Sequence, residues 1–65
     1  MNVELVNQYI SDSGLKLCYI AKQLGITYVA LHNKMIGKYP FTLQELTILR
    51  DLLKLDDDQW NSLLG

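Results

Sequence analysis

One cysteine, one histidine, one proline and no long apolar run leave this 65-residue chain few chemical options. Cys18 cannot form an internal disulfide, and no Cys or His companions stand at ligand spacing for a zinc site. A small, half-buried apolar role is expected for it. No nucleophile–base pair and no Gly-rich phosphate loop are present. Enzyme function is therefore excluded, and no catalytic residue, metal or cofactor is expected. The absence of any run of about 18 apolar residues rules out a membrane-spanning helix. The opening MNVELVNQYISDSG lacks the basic and continuously apolar regions of a signal peptide, so a cytoplasmic location is expected.

Positive charge is also scarce. The net charge is -1, from six Lys and Arg against seven Asp and Glu. Its distribution is more informative than its sum. Residues 1–40 carry Lys16, Lys22, Lys34 and Lys38 against Glu4 and Asp12, for +2. Residues 41–65 carry Arg50 and Lys54 against Glu45, Asp51, Asp56, Asp57 and Asp58, for -3. Any affinity of one copy for a phosphate backbone is expected to be weak and salt-sensitive.

What is present in quantity is helical periodicity. Apolar residues make up 49% of the chain, and their spacing is that of helices rather than of strands. Val3, Val6 and Ile10 share one face of a first helix, with Asn2 as its N-cap and Gly14 at its end. Leu17, Ile20, Ala21 and Leu24 follow the i, i+3, i+4, i+7 rule in a second, which Gly25 stops. Thr27 is the N-cap of a third helix over about residues 28–36, with Leu31 and Met35 inward. Thr42 and Glu45 form a capping box opening a fourth, with Phe41 and Leu46 at the hydrophobic-staple positions. Asp56 and Gln59 repeat the device for a fifth, with Leu55 and Trp60 as the staple. The triplet Asp56-Asp57-Asp58 suits a helix N-terminus and lacks the spaced ligands of a calcium loop. The expectation is one all-α domain of five helices spanning residues 1–65.

Ile20-Ala21, Gly25, Ile26 and Leu31 have the spacing of a helix-turn-helix over about residues 17–36. The chain resembles the phage repressor and Cro group, the xenobiotic-response-element-type family of small five-helix domains. The resemblance extends to Gly37, to the FTLQEL start of the fourth helix and to the segment Leu31-His32-Asn33-Lys34-Met35-Ile36-Gly37. That segment is similar to one in small phage and mobile-element regulators. The physics of the motif stands beside the resemblance. Ala21 is small where two helices cross, Gly25 permits the sharp turn, and Ile20, Leu24, Ile26 and Leu31 bury the angle. A third helix so held has a diameter that fits the major groove.

The resemblance implies a sequence-specific, double-stranded DNA-binding regulator with base-facing residues at Tyr28, Val29, His32 and Asn33. Lys34 and Lys38 stand out as phosphate contacts, with Lys16 and Thr27 beside them. Asn33 suits bidentate pairing with adenine, and Val29 suits contact with a thymine methyl. The chain departs from the family pattern at three places. Ile36 and Leu17 stand where polar phosphate contacts are common, and Lys16 stands where Ser or Thr usually caps the second helix. With so little positive charge, two copies on half-sites about one helical turn apart are expected. Trp60, Leu63 and Leu64 on the last helix could form the dimer surface or close the core. The alternative is an interaction module, in which Tyr28, Val29 and Ile36 dock a protein partner.

Overall fold

Thr42 and Glu45 satisfy each other as a reciprocal pair in the computed structural model, which describes residues 1–65. Thr42 Oγ1 accepts from the Glu45 N–H at 3.1 Å, and Glu45 Oε1 accepts from the Thr42 N–H at 2.9 Å. Asp56 and Gln59 repeat this arrangement at 2.8 and 3.0 Å. Each box occupies donors that a helix start leaves without intrahelical partners, so both boundaries are set by local chemistry. The Phe41–Leu46 staple is buried on both sides, whereas in the Leu55–Trp60 staple Trp60 is half-buried.

Five helices result and no strand: α1 Val3–Ser13, α2 Leu17–Leu24, α3 Tyr28–Met35, α4 Leu43–Leu53 and α5 Asp57–Leu64. The all-α, five-helix expectation is met. Asn2 caps α1 by accepting from the Leu5 N–H at 3.1 Å. Gly25 ends α2 at φ 73°, in the left-handed region that a side chain disfavours, and the turn to α3 is thereby confined to three residues. Lys54 ends α4 in the same region at φ 55° and is the one non-glycine residue with positive φ. No helix is long and apolar enough to cross a membrane.

The core joins all five helices. Val6 and Ile10 of α1 meet Ile20, Ala21 and Leu24 of α2, Leu31 of α3, Phe41 before α4, Leu46 and Leu49 of α4, and Leu63 of α5. The packed helix pairs are α1 with α3, α4 and α5, and α2 with α3 and α4. A backbone bond from the Asn2 N–H to the Leu63 carbonyl at 3.1 Å ties the two ends of the chain together.

This packing decides one open alternative, at Leu63, and corrects one expectation, at Cys18. Leu63 is only 1% exposed and closes the core, so it cannot serve a dimer surface, while Leu64 beside it is exposed. Trp60 is half-buried, with the Arg50 guanidinium 5.3 Å from its ring centre. Cys18 is exposed rather than half-buried. It lies one position round from the inward row of Leu17, Ile20, Ala21 and Leu24, a 100° turn that carries it outward.

Candidate nucleic-acid interface

The arrangement of α2 and α3 follows from small residues and backbone closure at the turn. Ala21 is buried, and its carbonyl accepts from the Ile26 N–H at 3.0 Å across the turn. Ile20 and Leu31 are wholly buried between the helices, Leu24 is buried beside them, and Ile26 is half-buried. Thr27 Oγ1 accepts from the Ala30 N–H at 3.0 Å and caps α3. Its hydroxyl proton stays free for an outside acceptor, since a Thr hydroxyl both donates and accepts.

With Leu31 inward, α3 presents its other side to solvent. Tyr28 is 53% exposed, Val29 66% and Ile36, at the C-cap, 62%. His32 is also exposed, and Asn33 is half-buried. The Asn33 carbonyl accepts from the Lys38 N–H at 2.9 Å, which holds the loop after α3 against its last turn. Of the base-facing candidates, Tyr28, Val29 and His32 thus share an open surface, and Asn33 lies at its margin.

The phosphate candidates divide. Lys16 is exposed at the N-cap of α2 and makes no capping hydrogen bond there. Lys38 is exposed, with its ammonium 5.7 Å from the centre of the Tyr39 ring. Lys34 behaves otherwise. Its side chain is 14% exposed, and its ammonium lies 2.5 Å from Glu45 Oε1, whose own side chain is 10% exposed. The charge expected at a phosphate is thus engaged within the protein, because Lys34 lies three residues from Leu31, at the rim of the buried face.

Burial by itself pushes the Glu45 carboxyl up. The Lys34 ammonium and the Thr42 N–H and hydroxyl outweigh burial and hold it below its ordinary value. Glu45 therefore carries a negative charge in the interior, paired and doubly hydrogen-bonded.

Asn7 is a residue that motif reading passes over. Its Nδ2 donates to the Met35 carbonyl at 2.8 Å and so satisfies a free acceptor at the end of α3, while its Oδ1 is buried without a partner. Asn7 occupies the i+4 place in the row Val3, Val6, Asn7, Ile10. A polar side chain at an inward position is a signal that a buried backbone group needs a partner. Asn7 and Met35 also line a groove of about 330 Å³ beside the start of α2. Met35, expected inward, is half-buried there.

Compared with known proteins, the chain matches no family model, no curated protein and no solved structure.

Proposed function

We propose that the protein is a sequence-specific DNA-binding regulator of the phage repressor type, with α3 laid into the major groove. The observation that carries this reading is the presentation of α3. Leu31 anchors it at full burial, while Tyr28, Val29 and His32 face solvent in one row with no other helix over them. In this reading Tyr28 and His32 offer polar groups to base edges, Val29 meets a thymine methyl, and Asn33 pairs with adenine at the margin. Lys16, Lys38 and the Thr27 hydroxyl take phosphates. Three such contacts make a small electrostatic footprint, so two copies are needed for useful affinity. The protein is then a binder rather than an enzyme, and it acts where its DNA is.

A second reading is favoured by one specific observation. Val29 and Ile36 are seven residues apart, two turns along one row of α3, and both are about two-thirds exposed. An apolar row of this kind suits a protein partner better than a phosphate-lined groove.

Titration onto a pool of duplex DNA at low and moderate salt separates the two. The DNA reading expects binding that weakens with salt. Lys38→Ala should weaken all sequences alike and lower the salt slope by about 1, and Asn33→Ala should relax preference at one position. Absence of binding even at low salt would sink it and leave the protein-docking reading.

A further inference from the structure

The C-terminal half of α3 is held by two side chains from elsewhere in the fold. Asn7 of α1 bonds the Met35 carbonyl, and Glu45 of α4 bonds the Lys34 ammonium. The second tie is the unusual one, because α3 and α4 are not among the packed helix pairs. The loop of residues 36–42 and this ion pair join the end of α3 to the start of α4. One oxygen, Glu45 Oε1, accepts both from Lys34 and from the Thr42 N–H, so the cap of α4 and the tie to α3 share one atom. A charge-assisted hydrogen bond is short and directional, and breaking a buried one strands a charge. Lys34 therefore has little freedom to leave Glu45 for a phosphate.

We propose that Lys34 is a positioning residue, which through its buried pair with Glu45 sets the angle at which α3 is presented to its ligand. The direct phosphate contact expected at Lys34 passes to the free charges of Lys16 and Lys38. The link to ligand rests on the DNA reading of α3, whereas the clamp itself does not.

Three variants test it. Lys34→Arg keeps the charge. Lys34→Met removes it and leaves Glu45 stranded. Lys34→Met combined with Glu45→Gln neutralises both partners while Gln retains the capping box, so this chain stays folded. Each is measured well below its unfolding midpoint, by duplex-DNA titration across a salt series and by backbone amide NMR without DNA.

In the double variant the amide resonances of Tyr28 and Val29, at the end of α3 away from the substituted residue, should shift, while those of α5 stay in place. These two are the α3 amides that decide the test. Its DNA affinity should fall by about tenfold or more for all sequences, with an unchanged salt slope. Lys34→Arg should restore affinity to within about threefold of wild type. A slope reduced by about 1, with α3 amides unmoved, would make Lys34 a phosphate contact and overturn the proposal. Unchanged affinity together with unmoved α3 amides would overturn it too. If wild-type protein binds no duplex, the DNA reading falls and the NMR arm decides the clamp alone. Shifted α3 amides in the double variant then uphold it, and unmoved ones reject it.

Discussion

Asn7 and Met35, 28 residues apart in sequence, are joined by a 2.8 Å hydrogen bond from the Asn7 amide to the Met35 carbonyl. The bond does for α3 what a C-cap does, from another helix. Replacing Asn7 with Ala leaves that carbonyl without its partner and opens space beside Ile10. A loss of about 1–3 kcal/mol is expected, seen as a lower urea midpoint at an unchanged slope. A loss below about 0.5 kcal/mol, the range of ordinary surface substitutions, would show that the bond contributes nothing.

The Lys34–Glu45 pair makes stability depend on pH in a defined direction. Glu45 titrates below the ordinary value of 4.5 when folded and near it when unfolded. A depressed folded value means that the unfolded chain binds the proton first, so the stabilisation is complete above about 4.5. It is lost as pH falls through the folded value. Urea midpoints measured downward from neutral pH should fall in that window in wild type. They should fall less in the Lys34→Met, Glu45→Gln double variant. Equal slopes in the two proteins would show that Glu45 is not the group responsible.

Capping separates stability from ligand contact at Lys16. This residue starts α2 without a capping hydrogen bond, unlike Asn2, Thr27, Thr42 and Asp56, which each accept one. Lys16→Ser should raise stability by about 0.5–1 kcal/mol, whereas Thr42→Ala should lower it by about 1. In the DNA reading Lys16→Ser also lowers affinity and reduces the salt slope. Thermal melts and a salt-series titration on one preparation record both changes.

Exposed and buried apolar residues should respond in opposite ways. Leu49 is wholly buried in α4, and Leu49→Ala should cost about 2–5 kcal/mol, enough to unfold much of so small a domain. Val29 and Ile36 are open to solvent, so Val29→Ala and Ile36→Ala should change stability by less than about 0.5 kcal/mol. Their effect should fall on binding. Weakened DNA affinity in Val29→Ala supports the groove reading. Unaffected DNA binding in both variants would assign the row to something else.

The Lys54 linkage offers a test of backbone strain. Its φ of 55° places an L side chain in the left-handed region, where a crowded carbonyl costs energy. Lys54→Gly should be neutral or stabilise by up to about 1 kcal/mol, read from the thermal midpoint. A clear destabilisation would mean that the lysine side chain makes a contribution beyond its backbone.

Helix boundaries were legible in the sequence because capping is local. Asn2, Thr27, Thr42 with Glu45, and Asp56 with Gln59 each act within three residues, and each stands where its residue type places it. The inward rows of α1 and α2 were legible for the same reason, since 100° per residue assigns faces without reference to the rest of the chain. That rule also exposes Val29 and Ile36. What local rules leave undecided is the fate of residues at the rim of a face, where the neighbouring element decides. Leu63 suits either a dimer surface or the core, and contact with α1 made it core. Lys34 and Glu45 read separately as a phosphate contact and a capping residue, eleven positions apart. Only the approach of α4 to the end of α3 joined them, because a buried charge must find an opposite charge within hydrogen-bonding reach. By itself the sequence determined five helices and the exposure of Val29 and Ile36 at the third, while Asn33, expected beside them, is half-buried. The tertiary structure decided which polar groups are consumed in holding that helix, and so which remain free to meet a ligand.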